Sequence, residues 1–326
     1  MQQYRDTNYA AVSAALHARE AHLLTQALSE RMLEAPTAEE SCKLLIECGY
    51  PPIEHCTLGE VEHLLALSRA ELYREVAVLA PDKRLVELFQ LKYDYHNAKL
   101  ALKAKLTGED VSRLVIGCGR YDAAALLRGE RGMLSSRMCR AMAQAEKEAE
   151  GGDVRAAELT LDRACFEEMS ALAKETESDF LIGYVALQID AINLRTLVRA
   201  QRMGASDELL SAALLPGGHI PANQLKTARG DRLAELTRGS ALSSAGELAA
   251  ATLGGSGSLT AFERACDDAL VRYLQRARRT PFGPEVIVGY LSAKEAEFTA
   301  VRTILSGKLA GLSAEDIRAR LRLSYL

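Results

Sequence analysis

The chain has 326 residues, 26% of them charged, and a formal net charge of −4. Its length suits a large core and, by size alone, two or three domains, and its mild acidity argues against a general nucleic-acid binder, which would be basic. Aromatics are 5% and tryptophan is absent, while Ala and Leu dominate, a balance more usual for helices than for β-sandwiches.

The opening residues Met1-Gln2-Gln3-Tyr4-Arg5-Asp6 carry no signal-peptide apolar region. Residues 8–33 read as one long helix, closed by Ala35-Pro36. Thr37, followed three residues later by Glu40, is a capping box that opens a short helix, which ends at Gly49-Tyr50-Pro51-Pro52. Thr57 and Glu60 repeat the device, starting a helix to about Leu79. Pro81 opens the next, which runs to Gly108.

A short helix over 110–116 then gives way to Gly117-Cys118-Gly119, followed by another over 122–127. Residues 135–150 are strongly helical and stop at Gly151-Gly152. Asp153 caps a helix to Glu175, and Ser178 starts one that ends at Gly204. The order then recurs. Leu214-Leu215-Pro216-Gly217-Gly218 takes the place of Val115-Ile116-Gly117-Cys118-Gly119, and Arg264-Ala265-Cys266 the place of Arg163-Ala164-Cys165. Gly254-Gly255-Ser256-Gly257-Ser258 is a flexible turn. No alternating strand pattern of useful length is present.

One helix is written three times, at intervals of roughly a hundred residues: Tyr93 to Gly108, Asp190 to Gly204, and Glu297 to Gly311. The copies align without gaps on an acid (Asp94, Asp190, Glu297), then Asn or Ala (Asn97, Asn193, Ala300), a base, a small residue and a closing Gly. The stripe through Asn97, Ala104 and Gly108, and its counterparts through Ala200 and Gly307, predicts close approach of another helix. The closing glycine suits a left-handed helix end. The acid lies five residues before the first base, which places its partner on a neighbouring helix or in the adjacent turn. Lys99 and Lys103, like Arg195 and Arg199, are four apart and share another face. The acids that follow these bases, Glu109 and Asp110 or Asp207 and Glu208, mix the signs and disfavour nucleic-acid binding.

Candidate chemistry is sparse. The seven cysteines are odd in number and lack CxxC spacing, which reads as reduced thiols in a cytosolic protein. Cys48, His55, Cys56 and His63 have the wrong spacing for a common zinc site, and Pro51-Pro52 separates them. His17 and His22 are five apart and do not share a helix face as a metal pair would. Gly117 and Gly119 lack the third glycine and preceding strand of a dinucleotide fingerprint. No phosphate loop, nucleophile elbow or HExxH motif occurs, and no apolar run approaches the ~18 residues of a membrane span. No catalytic, cofactor-binding or metal-ligating residue is assigned, and no cofactor is expected.

The repeated helix resembles the C-subunit family of V-type and A-type rotary ATPases, whose eukaryotic member is known as the d subunit. The stretch from Met32 through Glu40 to Gly49-Tyr50 resembles that family's opening, and Tyr93 to Gly108 is similar to its aromatic-Asp-x-His-Asn-x-Lys helix. Phe262-Glu263-Arg264-Ala265, Pro281-Phe282-Gly283-Pro284-Glu285 and the run from Tyr290 to Arg318 extend the likeness over nearly the whole chain. Ala300, where the other copies have Asn, is a departure.

The expected fold is all-α, with three related units over 1–108, 109–204 and 205–326. The resemblance implies a funnel-like, pseudo-threefold, non-catalytic rotor subunit on the cytoplasmic side of the membrane. It would couple a central shaft of D and F type subunits to a membrane ring of c-type (proteolipid) subunits, touching the membrane only through that ring. The alternatives are a cytosolic helical-repeat adaptor, disfavoured because common adaptor repeats are about 34 residues long, and a helical enzyme using Cys and His groups.

Overall fold

The computed structural model describes residues 6–325. Met1 to Arg5, most of the stretch read for a signal sequence, lie outside the described residues, as does Leu326. Among the described residues there are helices and no strands, as the composition and patterning require. The chain divides into two compact units: Met1–Val86 with Asp267–Leu326, and Glu87–Cys266.

The first unit is built on one long helix. In chain order it contains α1 (Ala10–Glu20), α2 (Gln26–Glu34), α3 (Ala38–Lys43) and α4 (Leu58–Leu79). After the start of α5 (Arg84–Thr107), which belongs mainly to the second unit, the chain returns for α15 (Pro284–Leu309) and α16 (Ala314–Arg320). α15 touches α1, α2, α3, α4 and α16. Every residue from Val286 to Ala293 is buried, because a helix surrounded on all sides has no solvent face. Pro284 starts it at a position where no amide hydrogen is needed. Gly289 lets Tyr325 and Ala277 approach: a Cβ there would lie 2.6 Å from the Tyr325 hydroxyl and 2.8 Å from the Ala277 methyl.

The caps fall where expected. Thr37 accepts from the Glu40 amide at 3.1 Å, and Thr57 from the Glu60 amide at 3.2 Å. The single helix expected over 8–33 is instead two, broken over 21–25. Thr25 takes extended backbone and accepts from the Leu28 amide, restarting the helix as α2. The amide of Leu24 is drawn to a buried carboxylate on α15, and that bond competes with continued helix.

The second unit contains most of α5, then α6 (Ala123–Leu127), α7 (Ser136–Glu150), α8 (Val154–Glu175), α9 (Asp179–Arg202), α10 (Asp207–Ala213), α11 (Ala222–Thr227), α12 (Arg232–Thr237), α13 (Ser243–Leu253) and the start of α14 (Leu259–Leu274). Asp122, Ser135, Asp153 and Ser178 cap their helices through side-chain oxygens. α9 is packed against α8, α10, α11 and α13. It is the one described helix long and apolar enough to cross a membrane, with mean hydropathy 1.3 in its most apolar window, but 61% of that window is buried within the protein.

Cys42 and Cys56 are joined as a disulfide, where free thiols were expected. The chain reverses at Pro51-Pro52 and brings together two residues that sequence spacing did not associate. The other five cysteines, Cys48, Cys118, Cys139, Cys165 and Cys266, lie outside any disulfide. Burial pushes the Cys48 and Cys165 thiols up to about 12, so neither is a ready nucleophile at neutral pH.

Candidate functional site: a repeated acid clamp

The acid and the Asn of the repeated helix lie three residues apart, on one face. On α9 that face grips the loop that follows α10. Asn193, fully buried, donates its amide to the Leu215 carbonyl at 2.8 Å and accepts the Leu215 amide at 2.7 Å. One turn earlier, Asp190 accepts the amides of His219 at 2.9 Å and Ile220 at 3.0 Å, and lies 3.1 Å from the His219 ring. Gly218 is glycine because the loop is pressed against this carboxylate: a Cβ would sit 2.1 Å from Asp190 Oδ1.

The same device occurs on α5. Asn97 donates to the Ile116 carbonyl at 2.8 Å and accepts the Ile116 amide at 3.1 Å. Asp94 accepts from Arg120 Nε at 2.8 Å and from the Tyr121 amide at 3.3 Å. Gly119 stands where Gly218 does, with a Cβ 2.2 Å from Asp94 Oδ1. Arg120 continues to Glu168 at 3.0 Å, which accepts the Tyr95 hydroxyl at 2.8 Å. In both copies the gripped loop leads directly into the next N-cap, Asp122 or Pro221.

The third copy, on α15, lies in the first unit and grips a loop far earlier in the sequence. Glu297 accepts the Leu24 amide at 2.8 Å, immediately before the N-cap Thr25. Its other oxygen accepts the Tyr50 hydroxyl at 2.5 Å and pairs with Lys294. Ala300 replaces the Asn, and the second carboxylate oxygen substitutes for the missing amide by reaching Tyr50.

The electrostatics are those of buried structural acids. Burial pushes the Asp190 carboxyl above the usual carboxylate range, against the pull of the Ile220 and His219 amides. Burial also pushes Asp94 up, opposed by Arg120. Burial works against the Arg120 cation too, but Asp94 and Glu168 overcome it and hold its pKa above the usual value, so it keeps its charge. The Tyr95 and Tyr50 phenols are raised first by burial, then by the carboxylates they donate to, and serve only as donors.

The bases of the repeat make a second set of links. Lys99 meets Asp162 on α8 at 2.6 Å, Arg199 meets Glu263 on α14 at 3.0 Å through Nε, and Arg302 pairs with Glu62 on α4. The closing glycines Gly108, Gly204 and Gly311 all have left-handed φ, at 70°, 64° and 71°. The small stripe is closely packed at Gly307, where a Cβ would lie 2.6 Å from Ile317, whereas Ala104 and Ala200 are only half-buried. Asn97 and Asn193 hold loops rather than admit a helix.

The discounted metal groupings do not come together. Among the described residues no three of His, Cys, Asp and Glu converge as a ligand set. Cys56 is in the disulfide, and His17 bonds Glu20 at 2.9 Å.

Comparison with known proteins gives a consistent result. A family described as ATP synthase (C/AC39) subunit matches residues 12–320. The C subunit of the V-type sodium ATPase of Enterococcus hirae is 23% identical over 324 residues, covering 97% of this chain and 99% of that protein. The C subunit of the A-type ATP synthase of Methanocaldococcus jannaschii is 26% identical over 344 residues, covering 96% and 86%. The C subunit of the V-type ATP synthase of Thermus thermophilus is 25% identical over 319 residues, covering 93% and 94%.

Proposed function

The chain belongs to the ATP synthase (C/AC39) subunit family, and from that premise we propose that it is the central-stalk rotor subunit of a V/A-type ATPase, coupling a D/F shaft to a membrane c-type ring. The observation that carries this reading is the extent of the match, which covers nearly all of this chain and of relatives named as C subunits. It is a non-catalytic subunit, as the match to C subunits of rotary ATPases implies, and its buried acids are committed to loop amides and ion pairs. Its place is peripheral, on the cytoplasmic face, with the membrane reached through the ring.

The division into three related units over 1–108, 109–204 and 205–326, in pseudo-threefold order, belongs to the same proposal. It is supported by the clamp, which appears three times and whose third copy closes on the first unit's loop. A torque-bearing part must not yield between its segments, and a helix tied to the next segment through backbone hydrogen bonds meets that need.

The test is ATP-driven ion transport in vesicles reconstituted with the complex, with and without this chain. Transport is expected to be lost without it while the catalytic head still hydrolyses ATP. Full coupled transport in its absence would overturn the proposal.

A further inference from the structure

The groove between α7 and α8 is lined by none of the clamp acids or asparagines. It is a cavity of about 420 Å³ whose rim carries Arg137, Arg140, Arg163 and Glu167, over a floor that includes Ala141 and Ala164. Three guanidinium groups line it beside one carboxylate, Glu167, which pairs loosely with Arg137 at 3.7 Å and leaves an excess of positive charge. Arg163 is fixed by the carbonyls of Ala212 at 2.8 Å and Leu214 at 3.3 Å. Arg140 donates Nε to the Ser136 carbonyl at 3.2 Å, and among the described residues its terminal nitrogens have no acceptor.

Arg163 has a counterpart in Arg264 and braces the loop after α10, but Arg137 and Arg140, on α7, are not needed to build this part of the fold. α13 occupies the same place in the third repeat, ending in a Gly pair whose second member is left-handed, as α7 does: Gly152 has φ 91° and Gly255 φ 83°. α13 contains no arginine or lysine. The second repeat therefore carries a positive groove that the shared framework does not require.

We propose that this groove docks an acidic segment of a protein partner, with Arg137 and Arg140 receiving its carboxylates. Guanidinium groups take carboxylates through paired, parallel hydrogen bonds, which suits terminal nitrogens left without acceptors. The small floor leaves room for a projecting Asp or Glu side chain. The lining offers no aromatic ring on which a nucleobase could stack, which disfavours a nucleotide or single-stranded nucleic acid.

The experiment is calorimetric titration of the full chain with a hexaglutamate peptide at low ionic strength, with inorganic phosphate as a second titrant. The double variant Arg137→Glu/Arg140→Glu is expected to lose at least tenfold in peptide affinity, and Arg140→Ala alone at least threefold. The control Arg238→Glu, an exposed position in the same unit, should stay within twofold of the unmodified chain. Circular dichroism melting checks that each variant folds, and Arg140→Ala carries the test if the double variant does not. Absence of peptide binding, equal loss in the control, or phosphate binding as tight as the peptide would each overturn the proposal, the last by reducing the groove to a general anion site.

Discussion

Replacing Asn193 by Ala removes one side chain but strands two buried backbone groups, the amide and the carbonyl of Leu215, which Asn193 holds at 2.7 and 2.8 Å. A buried polar group left without a partner costs about 1–3 kcal/mol, so the pair sets a range of about 2–6 kcal/mol. Partial relaxation of the loop places the expected loss near the lower end, about 2–4 kcal/mol. The protein has two compact units, so one global unfolding transition is a poor readout. Native-state hydrogen exchange at the Leu215 amide reports the loop itself. A loss of about 2 kcal/mol corresponds to roughly thirtyfold faster exchange through local opening. Asn193→Asp sharpens the test, since an ionised carboxylate accepts the amide but repels the carbonyl. It should be worse than Ala at neutral pH and recover at acid pH, where a protonated carboxyl donates. Exchange less than about fivefold faster in Asn193→Ala, a change of about 1 kcal/mol, would refute the argument and mean that water replaces the amide.

Gly218→Ala forces a methyl to within 2.1 Å of Asp190 Oδ1, displacing loop or carboxylate, and should destabilise the loop by about 1–3 kcal/mol, read as faster native-state hydrogen exchange at the Ile220 amide; unchanged exchange would refute the close approach. For Asp190 the pKa is raised on folding, so the folded chain binds more protons than the unfolded chain just above the ordinary carboxylate range, and the contribution present below that range is lost as pH rises through the raised value. In a His219→Ala background, which removes the neighbouring ring, the local stability advantage of Asp190 over the Asp190→Asn substitution should therefore decline as pH rises above about 4; a flat or rising advantage in the hydrogen-exchange protection factor of the Leu215 amide would refute it.

The helical class and most caps could be read from sequence because their signals are local. Thr37, Thr57, Asp153 and Ser178 cap within their own first turn. The repeat was visible, and so was the need of its acid for a partner off the helix. The identity of that partner was not, because a loop amide carries no side-chain signature. Gly119 and Gly218 were the available signal: each lies in a loop equivalent to the other, and each is small because a carboxylate presses on it. The break over 21–25 was missed because its cause is Glu297, distant in sequence, and the Cys42–Cys56 pairing because it depends on a chain reversal. The stripe of small residues misled in part, since Asn97 and Asn193 look compact in sequence but act through their amides.

The third copy explains why its acid is Glu and its neighbour Ala. In the second copy the carboxylate meets two consecutive amides, so the short Asp side chain reaches both while Asn193 secures the preceding loop residues. In the third, the carboxylate must join two separate segments, the Leu24 amide and the Tyr50 hydroxyl. One more methylene provides that span. With Tyr50 taken by the carboxylate, Lys294 lies over the Tyr50 and Phe298 rings, at 4.9 and 5.3 Å, and brings the cation that a doubly shared buried acid needs. An Asn at position 300 would add no comparable link, because that position is half-buried and Tyr50 and Leu24 are already held. The departure from the repeat is thus a compensated exchange: an amide that ties one loop is replaced by a longer acid that ties two segments of the first unit to α15.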